Sequence, residues 1–260
     1  MAEIHASAVI DPAAQIEEGC SVGPFCVIGP GVTMGTGCTL GPHVILQGKV
    51  TLGERNRLEA AISIGAPPQD LKYGGEETEV VIGSENLIRE FVTIHRGTVG
   101  GGGITRLGSK NMLMAYSHIA HDCQVGNHTV FANGATLAGH VEVGSHATVG
   151  AFSAIHQFCR VGEYAFIGGF SVLTKDVLPF VKTVGSRGNA RTYGINTIGL
   201  ERKGFSDESI ETLKSAYNIL FKSKMLLQEA LQELEKRLGD HAEVAYLVRF
   251  IRESQRGIQR

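Results

Sequence analysis

Six of the ten histidines lie between positions 118 and 156: His118, His121, His128, His140, His146 and His156. Imidazole titrates near neutrality, so histidine is the usual side chain for moving a proton in this range. His121 is followed at once by Asp122, and a carboxylate beside an imidazole fixes its tautomer and steadies its charged form. Gly139 stands eighteen positions after His121 and Gln157 eighteen after that; His140 stands eighteen after Asp122, and His156 thirty-six after Ala120. A chain that returns on itself every eighteen residues would gather His121, Asp122, Gly139, His140, His156 and Gln157 into one patch. Such a patch can do base-assisted transfer, with the glycine leaving a backbone N–H open to a developing oxyanion. No serine or cysteine nucleophile is evident in it, which favours direct transfer over a covalent intermediate. Two other readings stay open: a polar surface ladder, and a zinc site with histidines from adjacent turns. His128 and His146 are also eighteen apart but lack a carboxylate, which reads as a surface ladder. His5, His43 and His241 carry no expected role.

The spacing has a cause in the repeat. Stepping by six from Ile4 through Ile64 meets only large apolar residues, and stepping by six from Leu107 through Leu173 does the same. Glycine often follows the anchor, as at Gly23, Gly41, Gly126 and Gly168, where it suits a tight corner. All five cysteines, Cys20, Cys26, Cys38, Cys123 and Cys159, fall four residues after an anchor and read as small buried filler. An apolar anchor every six residues is the hexapeptide signature of a parallel β-helix, with three hexapeptides to a coil. A period of six holds no single face of a 3.6-residue helix.

Two stretches break the period. Residues 65–81, with a double proline and several charges, and residues 95–106, with four consecutive glycines, read as loops expelled from the coil. After about 180 the hexapeptide rule stops. Ile210, Leu213, Tyr217, Leu220, Phe221, Leu227, Leu231, Leu234 and Leu238 follow a helical period. Ser206 reads as its N-cap and Gly239 as its stop, with a second helix over 241–255. The expected division is a β-helix over 1–180 and a linker with an α-helical domain over 181–260.

Bulk properties narrow the classes. The net charge of −2 over 260 residues gives no reason to expect nucleic-acid binding. The N-terminus has no basic start ahead of an apolar run, and no stretch of eighteen apolar residues occurs. Neither a signal peptide nor a membrane span is expected, so the chain reads as soluble and cytoplasmic. Five cysteines without a Cys-x-x-Cys pair argue against a disulfide framework or a zinc ribbon.

The strings IAHDC (119–123), TLAGHV (136–141) and AIHQFC (154–159), with QDLKY (69–73) and TIHRGT (93–98), closely resemble the UDP-N-acetylglucosamine 3-O-acyltransferases of lipid A synthesis. The resemblance covers the whole chain. It implies a left-handed coil, a homotrimer with sites between β-helices, no cofactor, and transfer of a 3-hydroxyacyl chain from acyl carrier protein to the sugar 3-hydroxyl. It implies His121 as general base, Asp122 as its orienting partner and the Gly139 N–H as oxyanion donor. Gln69, Asp70, Lys72, His118, His140, His156 and Gln157 match substrate-binding positions, and Asn196, Arg202 and Lys203 match a nucleotide cluster. Two departures fall there: Ile198 replaces a typical carboxylate, and Lys203 a typical arginine, losing bidentate geometry. Gly169 matches a position that limits acyl length, and its bare backbone implies a long chain such as 3-hydroxymyristoyl; Asn189 falls at another chain-measuring position. The basic stretch of Lys182, Arg187, Arg191, Arg202 and Lys203 would suit an acidic carrier protein. Some relatives use a 3-amino acceptor, which leaves hydroxyl versus amine open. The zinc alternative has its own precedent, since γ-class carbonic anhydrases use a similar β-helix.

Overall fold

Hydrophobic anchors at a fixed period force the chain into stacked triangular coils, because only then do all of them face one interior. The computed structural model shows this arrangement and describes residues 1–186 and 188–259; Arg187 lies outside the described residues. Among the described residues three sheets run the length of the molecule, of eleven, nine and eight strands, as the three faces of a left-handed parallel β-helix. We call them faces A, B and C in the order the chain visits them. Glu3 pairs with Ser21 on face A and Val9 with Val27 on face B, each eighteen positions on, which is the predicted coil. Most strands are two residues long, so cohesion comes from the stacked interior. Ile28, Leu40, Leu46, Ile64, Ile82, Leu113, Ile119, Leu137 and Ile167 are all buried. Each such side chain contributes about 1.5–3 kcal/mol.

The corners correct one sequence expectation. The left-handed backbone positions are not the glycines after the anchors but the residues two further on, including Phe25, His43, Asp122, His140, His146 and Phe158. The glycines answer a different need. A Cβ on Gly23 would come within 2.9 Å of the Gly41 carbonyl carbon, and one on Gly35 within 2.9 Å of that of Gly53. Coils stack too closely there for a side chain. The cysteines are buried as expected, and the Cys26 and Cys38 thiols donate to backbone carbonyls of Gly41 and Gly53 at 3.0 Å. At the C-to-A corner the same interior position carries a ladder the hydrophobic pattern does not reveal. Asn56 Oδ1 accepts from Asn86 N and Nδ2, Asn86 Oδ1 from Asn111 N, and Asn111 Oδ1 from Thr129 N and Oγ1.

Both expelled segments leave from the B-to-C corner. Strand 63–66 pairs with 93–95 on face B, while 79–82 and 104–107 pair on face C. Strand pairing therefore includes residues 65–66, 79–81, 95 and 104–106, and the free segments are 67–78 and 96–103, narrower than 65–81 and 95–106. Register records their sizes: Ser63 pairs with Thr93, thirty on, and Thr93 with His118, twenty-five on, in place of eighteen. Arg96 ties the first loop down, donating to the Gly65 carbonyl at 3.0 Å and twice to the Tyr73 hydroxyl at 3.0 and 2.8 Å.

Sheet pairing continues past 180. Strand 181–184 extends face A and then pairs antiparallel with 191–195. Four α-helices follow among the described residues: α1 (Thr197–Arg202), α2 (Asp207–Phe221), α3 (Leu227–Leu238) and α4 (Ala242–Arg252). Ser206 caps α2 as predicted, its hydroxyl accepting from Ser209 N at 3.1 Å. The single helix expected up to 238 is two. Ser223 turns back on the end of α2, its N–H donating to Asn218 O and its hydroxyl to Ile219 O, and the Glu229 carboxylate accepts from Leu226 N to open α3. Gly239 ends α3 at φ −64, so it is not the left-handed cap expected of it. The second predicted helix, 241–255, is the shorter α4.

Candidate active site

The B-to-C corner above the expelled loops brings together the patch read from eighteen-residue spacing. His121 Nδ1 lies 2.8 Å from Asp122 Oδ2. Asp122 is 4 % exposed, and its carboxylate also accepts from Thr98 N at 2.8 Å and Thr98 Oγ1 at 2.6 Å. Its own backbone N–H donates to Thr105 Oγ1. The carboxylate thus has two donors from Thr98, and His121 Nδ1–H is its third, which leaves His121 Nε2 as the nitrogen free to act as base. Sequence reasoning treated the glycine-rich loop as an expelled segment and missed Thr98. The loop packs on Asp122: a Cβ on Gly101 would overlap the carboxylate, and one on Gly97 would come within 2.8 Å of Oδ1. The run of glycines is what allows that approach.

Gly139 lies one coil above His121, and a Cβ there would overlap the imidazole, 2.6 Å from Nε2. Its N–H has no acceptor among the described residues. This follows from its place in the corner, two residues after an anchor, where Pro12, Pro24, Pro30 and Pro42 sit in other coils with no N–H at all. An unused donor beside a free imidazole nitrogen is the arrangement an acyl-transfer oxyanion needs.

His140 meets His121 edge-on at 5.1 Å, stacks on Phe158 at 4.4 Å and holds Nε2 3.8 Å from Asp122 Oδ2. Burial lowers its pKa, opposed by Asp122 and by Asp70, which places Asp70 within electrostatic reach. Gln69 and Lys72 are exposed on the same loop. On face B, His118 Nδ1 lies 2.7 Å from Thr93 Oγ1, and its ring is edge-on to His95 at 4.9 Å. Burial, with smaller contributions from His95 and His121, pushes His118 down to about 4, so it is neutral near pH 7. His95, which sequence reading passed over, is buried, and its Nδ1 has no partner. His156 and Gln157 stand one coil above Gly139, Gln157 exposed.

Asn196, Arg202 and Lys203 do not join this patch within one chain. They line a cavity of about 590 Å³ at the C-to-A corner with Ile198, Lys182 and His146. Asn196 Nδ2 donates to Tyr164 O at 3.0 Å. His128 and His146 stack at 4.8 Å as expected, and the column continues through Tyr164 to Phe180. The basic stretch is split: Lys182, Arg202 and Lys203 face this cavity, whereas Arg191 faces a separate cleft with Lys175 and Lys222. Gly169 is exposed at the A-to-B corner, and Asn189 is exposed in the hairpin turn after strand 181–184.

His121, Asp122 and His140 are also the one group of potential metal ligands among the described residues. The patch supplies two histidines and a carboxylate, and that carboxylate already accepts from Thr98 and His121.

Comparison with known proteins bears on the choice. A profile described as UDP-N-acetylglucosamine O-acyltransferase, domain 2, matches residues 176–259, and a bacterial transferase hexapeptide profile matches 104–139. Proteins from Thermodesulfovibrio yellowstonii and Burkholderia multivorans, both named acyl-[acyl-carrier-protein]–UDP-N-acetylglucosamine O-acyltransferase, are 49 % and 54 % identical over the full length of both chains. A solved structure of the enzyme from Acinetobacter baumannii superposes with a TM-score of 0.95 at 44 % identity over 99 % of each chain. The Francisella novicida UDP-N-acetylglucosamine acyltransferase gives 0.96 at 38 %, covering 99 % of this chain and 94 % of that one. No zinc enzyme is needed to account for the histidines: with this identity running from end to end and the backbones coinciding, the chain belongs to the UDP-N-acetylglucosamine O-acyltransferase family.

Proposed function

We propose that the chain transfers a long (R)-3-hydroxyacyl group from acyl carrier protein to the 3-hydroxyl of UDP-N-acetylglucosamine. The observation that carries this reading is the His121 imidazole, held at Nδ1 by Asp122 at 2.8 Å, with the unengaged Gly139 N–H beside its Nε2. In the reaction, the sugar 3-oxygen attacks the thioester carbonyl carbon as its proton passes to His121 Nε2. The carbonyl oxygen becomes the oxyanion held by the Gly139 N–H. Collapse re-forms the carbonyl and breaks the carbon–sulfur bond, and the departing thiolate takes the proton from His121. Gln69, Asp70, Lys72, His118, His140, His156 and Gln157 surround the acceptor sugar and its phosphates in this reading.

The nucleotide cluster at a different corner gives the reading a quaternary requirement. Asn196, Arg202 and Lys203 stand at a different corner from His121, so in this reading a second copy completes the site, as in a homotrimer. The A-to-B corner suits such contact, since Phe25, Phe91, Tyr116, Phe152 and Phe170 are exposed along it. The exposed Leu71 at the tip of the first loop is another apolar group awaiting cover. Acyl carrier protein would approach over the basic surfaces, and in this reading the chain acts in the cytoplasm without a cofactor. Among the described residues no helix is long and apolar enough to cross a membrane.

The test pairs 3-hydroxyacyl carrier proteins of graded length with UDP-N-acetylglucosamine and its 3-amino analogue, alongside light scattering. Fastest transfer of 3-hydroxymyristoyl to the hydroxyl acceptor by a trimer is the expected result. A monomer, absence of transfer to either acceptor, or activity abolished by chelation would sink the reading.

A further inference from the structure

Residues 253–259, beyond α4, form a strap whose backbone is pinned on both sides of Arg256. Before it, Glu253 accepts from Arg160 Nη2 at 3.3 Å, and the Ser254 hydroxyl donates to Asp176 Oδ2 at 2.7 Å. After it, Asp176 N donates to Gly257 O at 2.9 Å, Ile258 forms a β-bridge to Asp176, and Gln259 N donates to Asp176 O at 2.7 Å. Thr192 Oγ1 donates to Gln259 O at 2.9 Å. Asp176 is fully buried, and its other carboxylate oxygen accepts from Arg160 N at 2.8 Å. A buried carboxylate satisfied partly by the strap fixes that strap's course, because removing either partner leaves an unpaired buried polar group.

What the strap presents is Arg256, with Nη2 3.0 Å from His156 Nδ1. A guanidinium has five donors and no acceptor and does not deprotonate, so Nδ1 must be the acceptor and the ring proton must sit on Nε2. The 3.2 Å contact from Nδ1 to the Gln157 carbonyl is then not a hydrogen bond but the alternative the ring would adopt without Arg256. His156 belongs to the B-to-C corner, one coil above Gly139, on the side of the ladder where the acceptor substrate lies in the function proposed above.

We propose that Arg256 is a positioning residue: by donating to His156 Nδ1, it holds His156 as the Nε2–H tautomer, so that Nε2–H donates to an oxygen of the nucleotide-sugar acceptor. This rests on the proposed reaction for its substrate but not for the pairing itself. Losing the guanidinium lets Nδ1 take a proton and donate to the Gln157 carbonyl. Nε2 then becomes an acceptor facing an acceptor, and acceptor binding weakens while the His121 chemistry is untouched.

The experiment uses the full chain with ¹⁵N-labelled histidine. In wild type at pH 7.5 the His156 signals should report a bare Nδ1 and a protonated Nε2. In Arg256→Met the proton should move toward Nδ1, and KM for UDP-N-acetylglucosamine should rise about tenfold with kcat and the donor KM within about twofold. Arg256→Lys keeps a donor and should restore most of both signals. Ser254→Ala loosens the strap without touching the site and should shift the same signals in the same direction, less far. The Arg256 side chain is exposed, so its replacement leaves the fold intact. An unchanged His156 tautomer in Arg256→Met, or an unchanged acceptor KM with the tautomer moved, overturns the proposal. The tautomer is read without turnover, so wild-type enzyme inactive on UDP-N-acetylglucosamine would sink the proposed reaction while the Arg256–His156 pairing was still decided.

Discussion

An imidazole with one nitrogen committed to a buried carboxylate has a single nitrogen left for proton transfer. His121→Ala removes it, and kcat/KM should fall about 10²–10⁴-fold with the melting temperature little changed. Asp122→Asn is the sharper test. Its amide can donate to His121 Nδ1, which forces the proton onto Nε2 and abolishes the base while the ring keeps its place; a loss on the order of 10²–10⁴-fold is expected. Near-normal turnover in either variant would remove the pair from the mechanism. His118 gives a pH signature of its own. Burial depresses it from 6.5 to about 4, so between those values the unfolded chain binds a proton that the folded chain refuses. Stability is therefore full above pH 6.5 and is lost as pH falls toward 4, by up to about 3 kcal/mol from this group. Urea unfolding at pH 7.5 and pH 4.5 should show a smaller drop in His118→Gln than in wild type. Parallel losses would mean that His118 is not held neutral.

At the scale of elements, the 96–103 loop packs onto the candidate acid–base pair. Thr98 supplies two of the donors to Asp122, and Gly101 has no room for a side chain against that carboxylate. Gly101→Ala should displace Asp122 and cut kcat by about tenfold or more while changing the acceptor KM little. An unaltered kcat would show that the loop yields without moving the carboxylate. This loop also marks where sequence reading ends. The hexapeptide anchors reveal the coil, and the coil's length of eighteen places His121 under Gly139 and Asp122 under His140, because register in a β-helix is arithmetic. A loop outside the repeat has no such arithmetic, so Thr98 and the tie from Arg96 to Tyr73 could not be read. The corner glycines were legible as constraints but not in kind: excluded volume against the next coil, not positive φ, requires them. The break between α2 and α3 was hidden because Leu227, Leu231 and Leu234 continue the hydrophobic period while Ser223 turns the backbone aside. The strap at 253–259 has no hydrophobic period at all.

At the scale of the whole molecule, the proposed function divides the candidate site between two corners, so it calls for a second chain, with the acyl group lying between chains. Gly169 then matters through what its missing side chain leaves open. A Cβ there meets only Ala151 O at 3.2 Å and Ala151 N at 3.7 Å, so the backbone tolerates a larger residue with small adjustment. In Gly169→Met each displaced methylene forfeits about 0.8 kcal/mol of burial. Preference in kcat/KM should move by orders of magnitude toward shorter donors, with short-chain turnover retained. An unchanged length profile would place the end of the chain elsewhere, with Asn189 the next position to examine.

The close stacking that excludes side chains from the corner glycines also makes the molecule a graduated scale. Successive coils are about 4.8 Å apart and cannot be compressed, so Gly169, about 2.7 coils beyond His121, stands about 13 Å further along the axis. Ala151 occupies the same corner one graduation lower. A bulky residue there should set a limit shorter than that of Gly169→Met by one coil rise, moving the accepted length in a step and not continuously. Chain length would thus be a counted quantity, fixed by how many turns of backbone separate the proton acceptor from the stop.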